Sequence, residues 1–339
     1  MPKFCVWEIT LECNANCKHC ASNAGFKRNK ELNSREIFDL IEQLKIAGIE
    51  SIFLSGGEPT LRKDFYDIVK KIESTGMTYG FITNGLVNLN INFLRDHMPS
   101  AIGVSIDGVG TTHNKNRGIP NAFNQTWSTI LKLVENDLPV SVVTAVGKYN
   151  LKDLKRIELD ILHNKVGGWQ LQVAIPEGRM DPSLTLSEQE YYELCKYIAK
   201  EKFELRNILN ISAADNLGYY GTLEGELRAD PWTGCPAGRN VVGITSNGDI
   251  KPCLSIMHPN TIAGNVRKKN FSEIWENDEN FAFFRTFKGT EGLCEDCEKS
   301  NECRAGCSAT MIGFNGELRR EYPFCIKRYE GQHMRNFDK

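Results

Sequence analysis

Short runs rich in valine, isoleucine and aromatic residues alternate with helical patterns through the first part of the chain. The runs predict six β-strands, with the sequences CVWEITL, SIFLS, TYGFIT, AIGVSI, VSVVTAV and WQLQVAI. Helical patterns follow these strands at residues 33–48, 63–75, 89–98, 121–136, 151–163 and 186–203. Repetition of strand and helix predicts an α/β fold in which right-handed crossovers join parallel strands. Six such units form a partial (β/α)6 TIM-like barrel, and an open parallel sheet fits the same pattern.

The first predicted helix carries signals at both of its ends. Asn33 can cap its start with Glu36 reaching back, and Gly48 supplies a left-handed stop. The apolar stripe between them consists of Ile37, Leu40, Ile41 and Leu44. This spacing predicts a helix with one buried face.

The composition is that of a globular protein. At 339 residues, 41% hydrophobic and 25% charged, the chain can bury one large core or a large and a small one. Its 41 Lys and Arg residues nearly balance 43 Asp and Glu residues, so we expect no nucleic-acid partner. The N-terminus lacks a signal peptide, and no apolar run approaches the roughly 20 residues of a membrane span. We therefore expect a cytoplasmic protein without a membrane partner. Its 12 cysteines favour metal binding over disulfides.

Candidate motifs follow four of the predicted strands. A loop with Cys13, Cys17 and Cys20 follows the first, SGGEP the second, TNG the third and SIDG the fourth. In barrels of this type the chemistry lies at the carboxyl ends of the strands, where such loops converge. A 4Fe-4S cluster held by three thiolates has one iron without a protein ligand, which can bind a substrate or cofactor. Without the other motifs, the three cysteines could also be half of a zinc site.

The other motifs offer groups that suit a small polar cofactor. Gly56 and Gly57 allow close backbone approach, and Glu58 offers a carboxylate to a cationic group beside the iron. Ser105 and Asp107 lie on one strand face and can hold sugar hydroxyls. Taken singly, GGEP is also an ordinary turn and SIDG an ordinary strand end.

A second group of cysteines lies near the C-terminus. Twelve residues separate Cys235 from Gly248, and four more separate that glycine from Cys253. The stretch CEDCEKSNECRAGC then has gaps of two, five and three residues, and the remaining thiols are Cys294, Cys297, Cys303, Cys307 and Cys325. Seven thiols exceed one four-ligand site and fall one short of two. One or two zinc knuckles are the alternative interpretation.

Together, C-x3-C-x2-C, GGEP and SIDG at the ends of the first, second and fourth strands resemble the radical S-adenosylmethionine (SAM) family, over nearly the whole chain. The resemblance implies that one electron from the cluster cleaves SAM to methionine and a 5′-deoxyadenosyl radical, which takes hydrogen from the substrate. It implies these cofactor-binding residues: His19 near the adenine; Gly56, Gly57 and Glu58 at the methionine amino group; Ser105 and Asp107 at the ribose.

Every gap in the C-terminal group matches the SPASM extension of that family. The resemblance implies one auxiliary 4Fe-4S cluster on Cys294, Cys297, Cys303 and Cys325, and another on Cys235, Cys253 and Cys307. With the SAM-binding cluster, this makes three 4Fe-4S clusters. The second auxiliary cluster lacks a fourth cysteine. We expect either an open iron that takes a substrate thiolate or carboxylate, or a local ligand such as Asp230.

The resemblance divides the chain into a barrel at residues 1–205, a bridge at 206–234 and a SPASM domain at 235–339. Candidates for a substrate wall lie in the bridge and after the sixth strand: Asp215, Tyr219, Tyr220, Glu177 and Arg179. Ordinary packing explains each of them as well. Cys5 and Cys195 are expected in the core, and the sequence identifies no catalytic residue beyond the cluster ligands.

Family resemblance implies that the substrate is a ribosomally made peptide and that the reaction is an oxidative crosslink. Alternatives are a peptide epimerase, an enzyme like the sulfatase maturases, and a small-molecule or haem-pathway dehydrogenase. An electron carrier or a zinc scaffold is the alternative from another class. The family implies a flavodoxin or ferredoxin as electron donor. Because the barrel begins within ten residues of the N-terminus, we expect a separate leader-peptide-binding protein, or binding by the barrel mouth alone.

Overall fold

The computed structural model describes residues 1–214 and 216–333. Its strands are β1 (Phe4–Thr10), β2 (Ser51–Gly56), β3 (Thr78–Thr83), β4 (Ile102–Ser105), β5 (Val140–Val146), β6 (Gly168–Val173), β7 (Asn210–Ala213), β8 (Val241–Ile244), β9 (Asp249–Lys251) and β10 (Gly264–Asn265). Its helices are α1 (Ser34–Ile46), α2 (Phe65–Ser74), α3 (Ile91–Asp96), α4 (Thr111–Arg117), α5 (Ala122–Val134), α6 (Leu154–His163), α7 (Glu188–Glu204), α8 (Glu224–Leu227), α9 (Phe271–Glu276), α10 (Ala282–Arg285), α11 (Ser300–Cys303), α12 (Ser308–Asn315) and α13 (Ile326–His333).

All ten strands form one sheet in the order β10-β9-β8-β1-β2-β3-β4-β5-β6-β7. Strands β1 to β7 pair in parallel with their neighbours, which confirms the predicted α/β fold with a parallel sheet. Strand β8 pairs in parallel with β1, and β9 and β10 continue the sheet antiparallel. The cysteine-rich C-terminal part therefore extends the same sheet that carries the first cysteine loop.

The two faces of the sheet differ in what they contact. Cys5, Trp7 and Ile9 of β1 enter the hydrophobic core, which the helices cover. Val6 and Glu8 alternate with them and point to the opposite side, which we call the inner face. On the inner face, β4 and β6 carry the half-buried polar residues Ser105, Gln170 and Gln172.

Local signals predicted the first helix well. The Asn33 side chain accepts a hydrogen bond from the Glu36 amide at 3.1 Å, and the Glu36 carboxylate accepts one from the Asn33 amide at 2.9 Å. All four residues of the predicted stripe are buried.

Cys5 and Cys195 are also fully buried, as expected. In the part of the chain that the structure describes, no helix is long and apolar enough to cross a membrane.

Helix α4 was not predicted. Its sequence, TTHNKNR, has no apolar stripe, and glycines at both ends resemble a loop in the sequence. Gly118 ends the helix in the left-handed conformation, with φ of +67°. A side chain at Gly118 would bring its Cβ within 2.9 Å of the Asn16 carbonyl oxygen, so the helix end lies directly against the cysteine loop.

Candidate functional site

The four sequence motifs meet at one edge of the sheet, because the carboxyl ends of parallel strands share an edge. The SGGEP loop lies against the start of the cysteine loop. The Gly57 amide donates to the Thr10 carbonyl at 2.8 Å, and the Glu58 amide donates to the Glu12 carbonyl at 2.8 Å. A Cβ at Gly57 would lie 2.3 Å from the Glu12 carbonyl oxygen. Glycine is therefore required here for contact between two loops of the chain itself.

Glu58 is fully buried and joins the SGGEP loop to the TNG loop. One carboxylate oxygen accepts from the Thr60 hydroxyl at 2.6 Å and the Thr60 amide at 3.3 Å. The other accepts from the Thr83 hydroxyl at 3.0 Å and the Asn84 amide at 2.7 Å. Burial raises the pKa of Glu58 above its usual 4.5, against the effect of these donors. Both oxygens therefore already have partners within the protein.

Asp107 is the second buried carboxylate at this edge. One oxygen accepts from the Ala145 amide at 2.9 Å, and the other forms an ion pair with Arg117 and lies 3.6 Å from His19 Nε2. The Asn116 amide group in turn lies 2.7 Å from His19 Nδ1. Burial raises the pKa of Asp107, but Arg117 and His19 outweigh burial and hold it below 3.8. Asp107 thus fixes both α4 and the candidate adenine-binding histidine.

The remaining candidate positions are more open. Ser105, at the end of β4, is half-buried on the inner face opposite Val143 of β5. His19 lines a cavity of about 650 Å³, together with Asn116 and Tyr149. The rings of His19 and Tyr149 lie nearly parallel, with centroids 6.2 Å apart. A planar aromatic ligand fits a wall of this kind.

The three thiols of the first loop lie close enough to influence each other. Burial raises the pKa of the Cys13 thiol to about 11, and the charges of Cys17, Glu58 and Cys20 act in the same direction. Three thiolates are therefore unfavourable here unless cations lie among them. The irons of a cluster supply that charge, so the donor set fits an iron–sulfur cluster.

Each of these sulfurs also has a hydrogen-bond donor. The Ala24 amide donates to Cys20 Sγ at 3.4 Å. The side-chain amide of Asn84 approaches Cys13 Sγ at 3.8 Å, and the Arg117 guanidinium donates to Cys17 Sγ at 3.5 Å. Such donors stabilise negative charge on cluster ligands.

Four C-terminal thiols line one small cavity: Cys294, Cys297, Cys303 and Cys325. Burial raises the pKa of Cys303 to about 12, and the charges of the other three act in the same direction. Tyr219 and Tyr220, candidates for a substrate wall, line this cavity as well. Asp215 lies outside the described residues.

The other three C-terminal thiols form a separate group. A hydrogen bond between Cys307 and Cys235 lowers the pKa of Cys235 and raises that of Cys307. The charge of Cys253 also raises the pKa of Cys307. Asp230, the other ligand candidate, is exposed. In residues 1–214 and 216–333, no three His, Cys, Asp or Glu side chains converge as a single metal ion requires. A 4Fe-4S cluster binds its ligands on separate irons, so its thiols need not meet at one point.

The segment after β6 fastens the first cysteine loop. The Arg179 amide donates to the Cys20 carbonyl at 3.0 Å, and its guanidinium donates to the carbonyls of Cys17 at 2.8 Å and Ala24 at 2.9 Å. Gly178 has φ of +61°, and a Cβ there would lie 2.3 Å from the Cys20 carbonyl oxygen. Arg179 therefore holds the first cysteine loop in place through three hydrogen bonds.

Asn84, Asn116 and Arg117 belong to the site but were not among the residues predicted from the sequence. Asn84 belongs to the TNG motif, so its place after the third strand was an available signal. Asn116 and Arg117 end the unpredicted helix α4, and only their position immediately before Gly118 marks them. Their contacts depend on loops that are distant in sequence.

Comparisons with known proteins agree with this arrangement. A model of the radical SAM superfamily matches residues 7–161, and a SPASM iron–sulfur cluster-binding domain matches residues 235–298. The chain is 30% identical to an AdoMet-dependent heme synthase of Methanosarcina barkeri, over 96% of this chain and 97% of that protein. It is 26% identical to the mycofactocin maturase MftC of Mycobacterium ulcerans, over 97% of this chain and 89% of that protein.

The fold is similar to that of SuiB from Streptococcus suis, solved with S-adenosylmethionine and also with the precursor peptide SuiA. The SAM-bound structure has a TM-score of 0.76 and 18% identity, over 96% of this chain and 76% of that chain. The parallel sheet and its thiol groups thus define an iron–sulfur enzyme that binds SAM. The chain belongs to the radical SAM superfamily and has a C-terminal SPASM domain.

The buried pair of Asp107 and Arg117 generates a stability prediction. In Asp107→Asn the Arg117 guanidinium loses its counter-ion, so we expect unfolding to become easier by about 3–5 kcal/mol. Anaerobic urea unfolding followed by circular dichroism measures the change. Asp160→Asn is the control, because Asp160 pairs with the exposed Arg156 and should cost less than about 1 kcal/mol. Equal effects of the two substitutions would show that Asp107 is not needed to neutralise a buried Arg117.

Proposed function

We propose that the enzyme modifies a ribosomally made peptide by oxidative crosslinking. The observation that carries this proposal is the presence of three separate thiol groups around one sheet. The first lies at the strand ends, and two lie in the SPASM part that continues the sheet through β8. A hydrogen atom, an electron and a proton must leave the substrate in such a reaction. Separate clusters can serve the removal of the hydrogen atom and of the electron.

Two observations support a peptide as the substrate: the names of similar proteins, and the polar side chains on the inner face of the sheet. MftC is named a maturase, and SuiB has been solved with a precursor peptide. In this chain, Gln170 and Gln172 of β6 are half-buried on the inner face. Their side-chain amides can both donate to and accept from peptide groups. A haem-pathway reaction is the second candidate, because the relative at 30% identity is named a heme synthase.

In this proposal Cys13, Cys17 and Cys20 hold the cluster that binds SAM, and His19 lies near the adenine. Gly56, Gly57 and Ser105 face the cofactor. When bound, SAM and its cluster supply a radical that removes hydrogen from the substrate. Glu58 and Asp107 act as positioning residues, because their oxygens are engaged by the protein.

One auxiliary 4Fe-4S cluster uses Cys294, Cys297, Cys303 and Cys325, and the other uses Cys235, Cys253 and Cys307, which gives three clusters in all. We divide the chain into a barrel at 1–205, a bridge at 206–234 and a SPASM domain at 235–339. A cytoplasmic flavodoxin or ferredoxin supplies electrons, and a separate protein or the barrel mouth itself recognises the peptide.

Cysteine substitutions should separate the functions of the two regions. Cys17→Ala should abolish 5′-deoxyadenosine production, because it removes a ligand of the SAM-binding cluster. Cys294→Ala should retain some cleavage and lose the product, because it removes a ligand of an auxiliary cluster. Liquid chromatography of anaerobic assays measures both 5′-deoxyadenosine and the modified peptide. Cys195→Ala is the control, since Cys195 is buried in α7 away from the three groups. Wild-type cleavage by Cys17→Ala would refute the assignment.

The reaction itself is tested by the mass of a short peptide encoded beside the gene. The peptide is incubated anaerobically in deuterated water with enzyme, SAM and a strong reductant. Oxidative crosslinking predicts a loss of about two hydrogens per event. Uptake of about one deuterium without a crosslink would indicate epimerisation instead. An unchanged peptide with continued 5′-deoxyadenosine formation would favour a small molecule, including the haem-pathway candidate.

Arg117 should raise the reduction potential of the SAM-binding cluster. Its N–H donation to Cys17 Sγ favours the reduced, more negative state. Arg117→Met should therefore shift the potential to more negative values in titrations monitored by electron paramagnetic resonance, and Arg117→Lys should shift it less. Arg179→Met is the matched control, because Arg179 donates to carbonyls of the same loop and to none of its sulfurs. An equal shift in the control would show that loop rigidity is responsible.

A further inference from the structure

A basic rim surrounds the cavity that His19 lines. Two exposed lysines line the same cavity, Lys18 of the first cysteine loop and Lys115 of α4. Their segments are adjacent, because the Lys18 amide donates at 2.8 Å to the carbonyl of Asn116, which follows Lys115. Neither ammonium forms a hydrogen bond or an ion pair with any residue that the structure describes. Both positive charges are therefore available to a partner outside the chain.

Positive charge dominates the rest of the rim as well. Arg179 lines the cavity, and Asp181 is the one acidic residue among the described residues that do so. The Asp181 carboxylate already accepts a hydrogen bond from the Ser183 amide at 2.9 Å. Beside it, the Lys148 ammonium donates to the Ser183 carbonyl at 3.3 Å. The rim therefore attracts a negatively charged surface.

The surface over the four-cysteine cavity of the SPASM part has the opposite charge. Glu295 and Asp296, which lie between two of its cysteines, are exposed and form no ion pair with a described residue. The lysines that line that cavity each pair with a glutamate: Lys299 with Glu302, and Lys327 with Glu298. An acidic protein is therefore repelled there and attracted to the cavity at His19.

The basic rim also gives direct access to the first cysteine loop. His19 stands between Cys17 and Cys20 in the sequence, and its side chain lines the cavity. A protein seated on Lys18 and Lys115 thus lies against the loop that carries the first three thiols. SAM cleavage consumes one electron per event, which has to come from outside this chain. The partner that suits this rim is therefore an electron carrier with an acidic surface.

We propose that Lys18 and Lys115 form the docking surface for an acidic flavodoxin that reduces the enzyme. This inference rests on the proposed function, and it specifies the electron donor and where it binds. In the electron-transfer step, the anionic flavin hydroquinone gives one electron to the cluster of the first loop and becomes the neutral semiquinone, and no proton leaves. The contact is small and electrostatic, as in other transient electron-transfer complexes, so we expect binding that weakens strongly with salt.

The test measures how an oxidised acidic flavodoxin binds to anaerobically purified, cluster-loaded enzyme, without turnover. Fluorescence anisotropy of the labelled flavodoxin gives the dissociation constant at low salt. Lys18→Glu combined with Lys115→Glu should raise this constant about tenfold, because two attractions become repulsions. Lys115→Glu alone should raise it about threefold, and this residue lies outside the cysteine loop. Lys18→Arg combined with Lys115→Arg keeps the charge and should retain binding.

The matched control is Lys45→Glu combined with Lys132→Glu, which changes the net charge by the same amount. These exposed lysines lie in the last turns of α1 and α5, which lead into the starts of β2 and β5 at the opposite edge of the sheet. The control should bind flavodoxin like the wild type. A second readout is the stopped-flow oxidation of flavodoxin hydroquinone, which should slow in parallel with the loss of binding. Photoreduced deazaflavin needs no docking surface and should reduce every variant equally.

Four results would overturn the proposal. They are wild-type affinity after the double substitution of Lys18 and Lys115, an equal loss of affinity in the control, a wild type that does not bind flavodoxin, and equal slowing with deazaflavin. The last result would show that the lysines act on the cluster and not on docking. Because the peptide is absent from these measurements, an unmodified peptide with intact flavodoxin binding would reject the crosslink and retain the docking surface.

Discussion

Buried negative charge around the first cysteine loop is the constraint on which the rest of the site depends. Glu58 and Asp107 are both buried there, beside thiols that repel each other as thiolates. Arg117 balances part of that charge by pairing with Asp107 and donating to Cys17. The cationic iron core of a bound cluster would offset more of it. Helix α4, which ends at Arg117, is held against the loop by the same contacts, so local structure and cofactor binding depend on one set of interactions.

The sheet determines how the cysteine regions relate to each other. Because β8 pairs with β1, backbone hydrogen bonds connect the SPASM part directly to the strand that precedes the first cysteine loop. Arg179 and Gly178 then connect the segment after β6 to that loop. These connections hold the first cysteine loop and the SPASM part on one sheet. Transfer of hydrogen at one end and an electron at the other is compatible with this geometry.

Local patterns were sufficient for much of the fold. The six predicted strands and the capped first helix are present, because strand composition, capping and periodicity act over short distances. The motifs at strand ends could be predicted to converge because parallel strands impose it. Helix α4 was missed because tertiary contacts of Arg117 stabilise it, and the β8–β1 pairing was missed because it joins residues far apart in the chain.

Mössbauer spectroscopy of protein loaded with iron-57 tests the central claim most directly. That claim is that the three thiol groups each hold a cluster, and that the first loop leaves one iron open to SAM. The account predicts three 4Fe-4S clusters per chain, and it predicts that added SAM changes the signal of one iron in the first of them. A single cluster per chain, or three clusters that do not respond to SAM, would contradict the account.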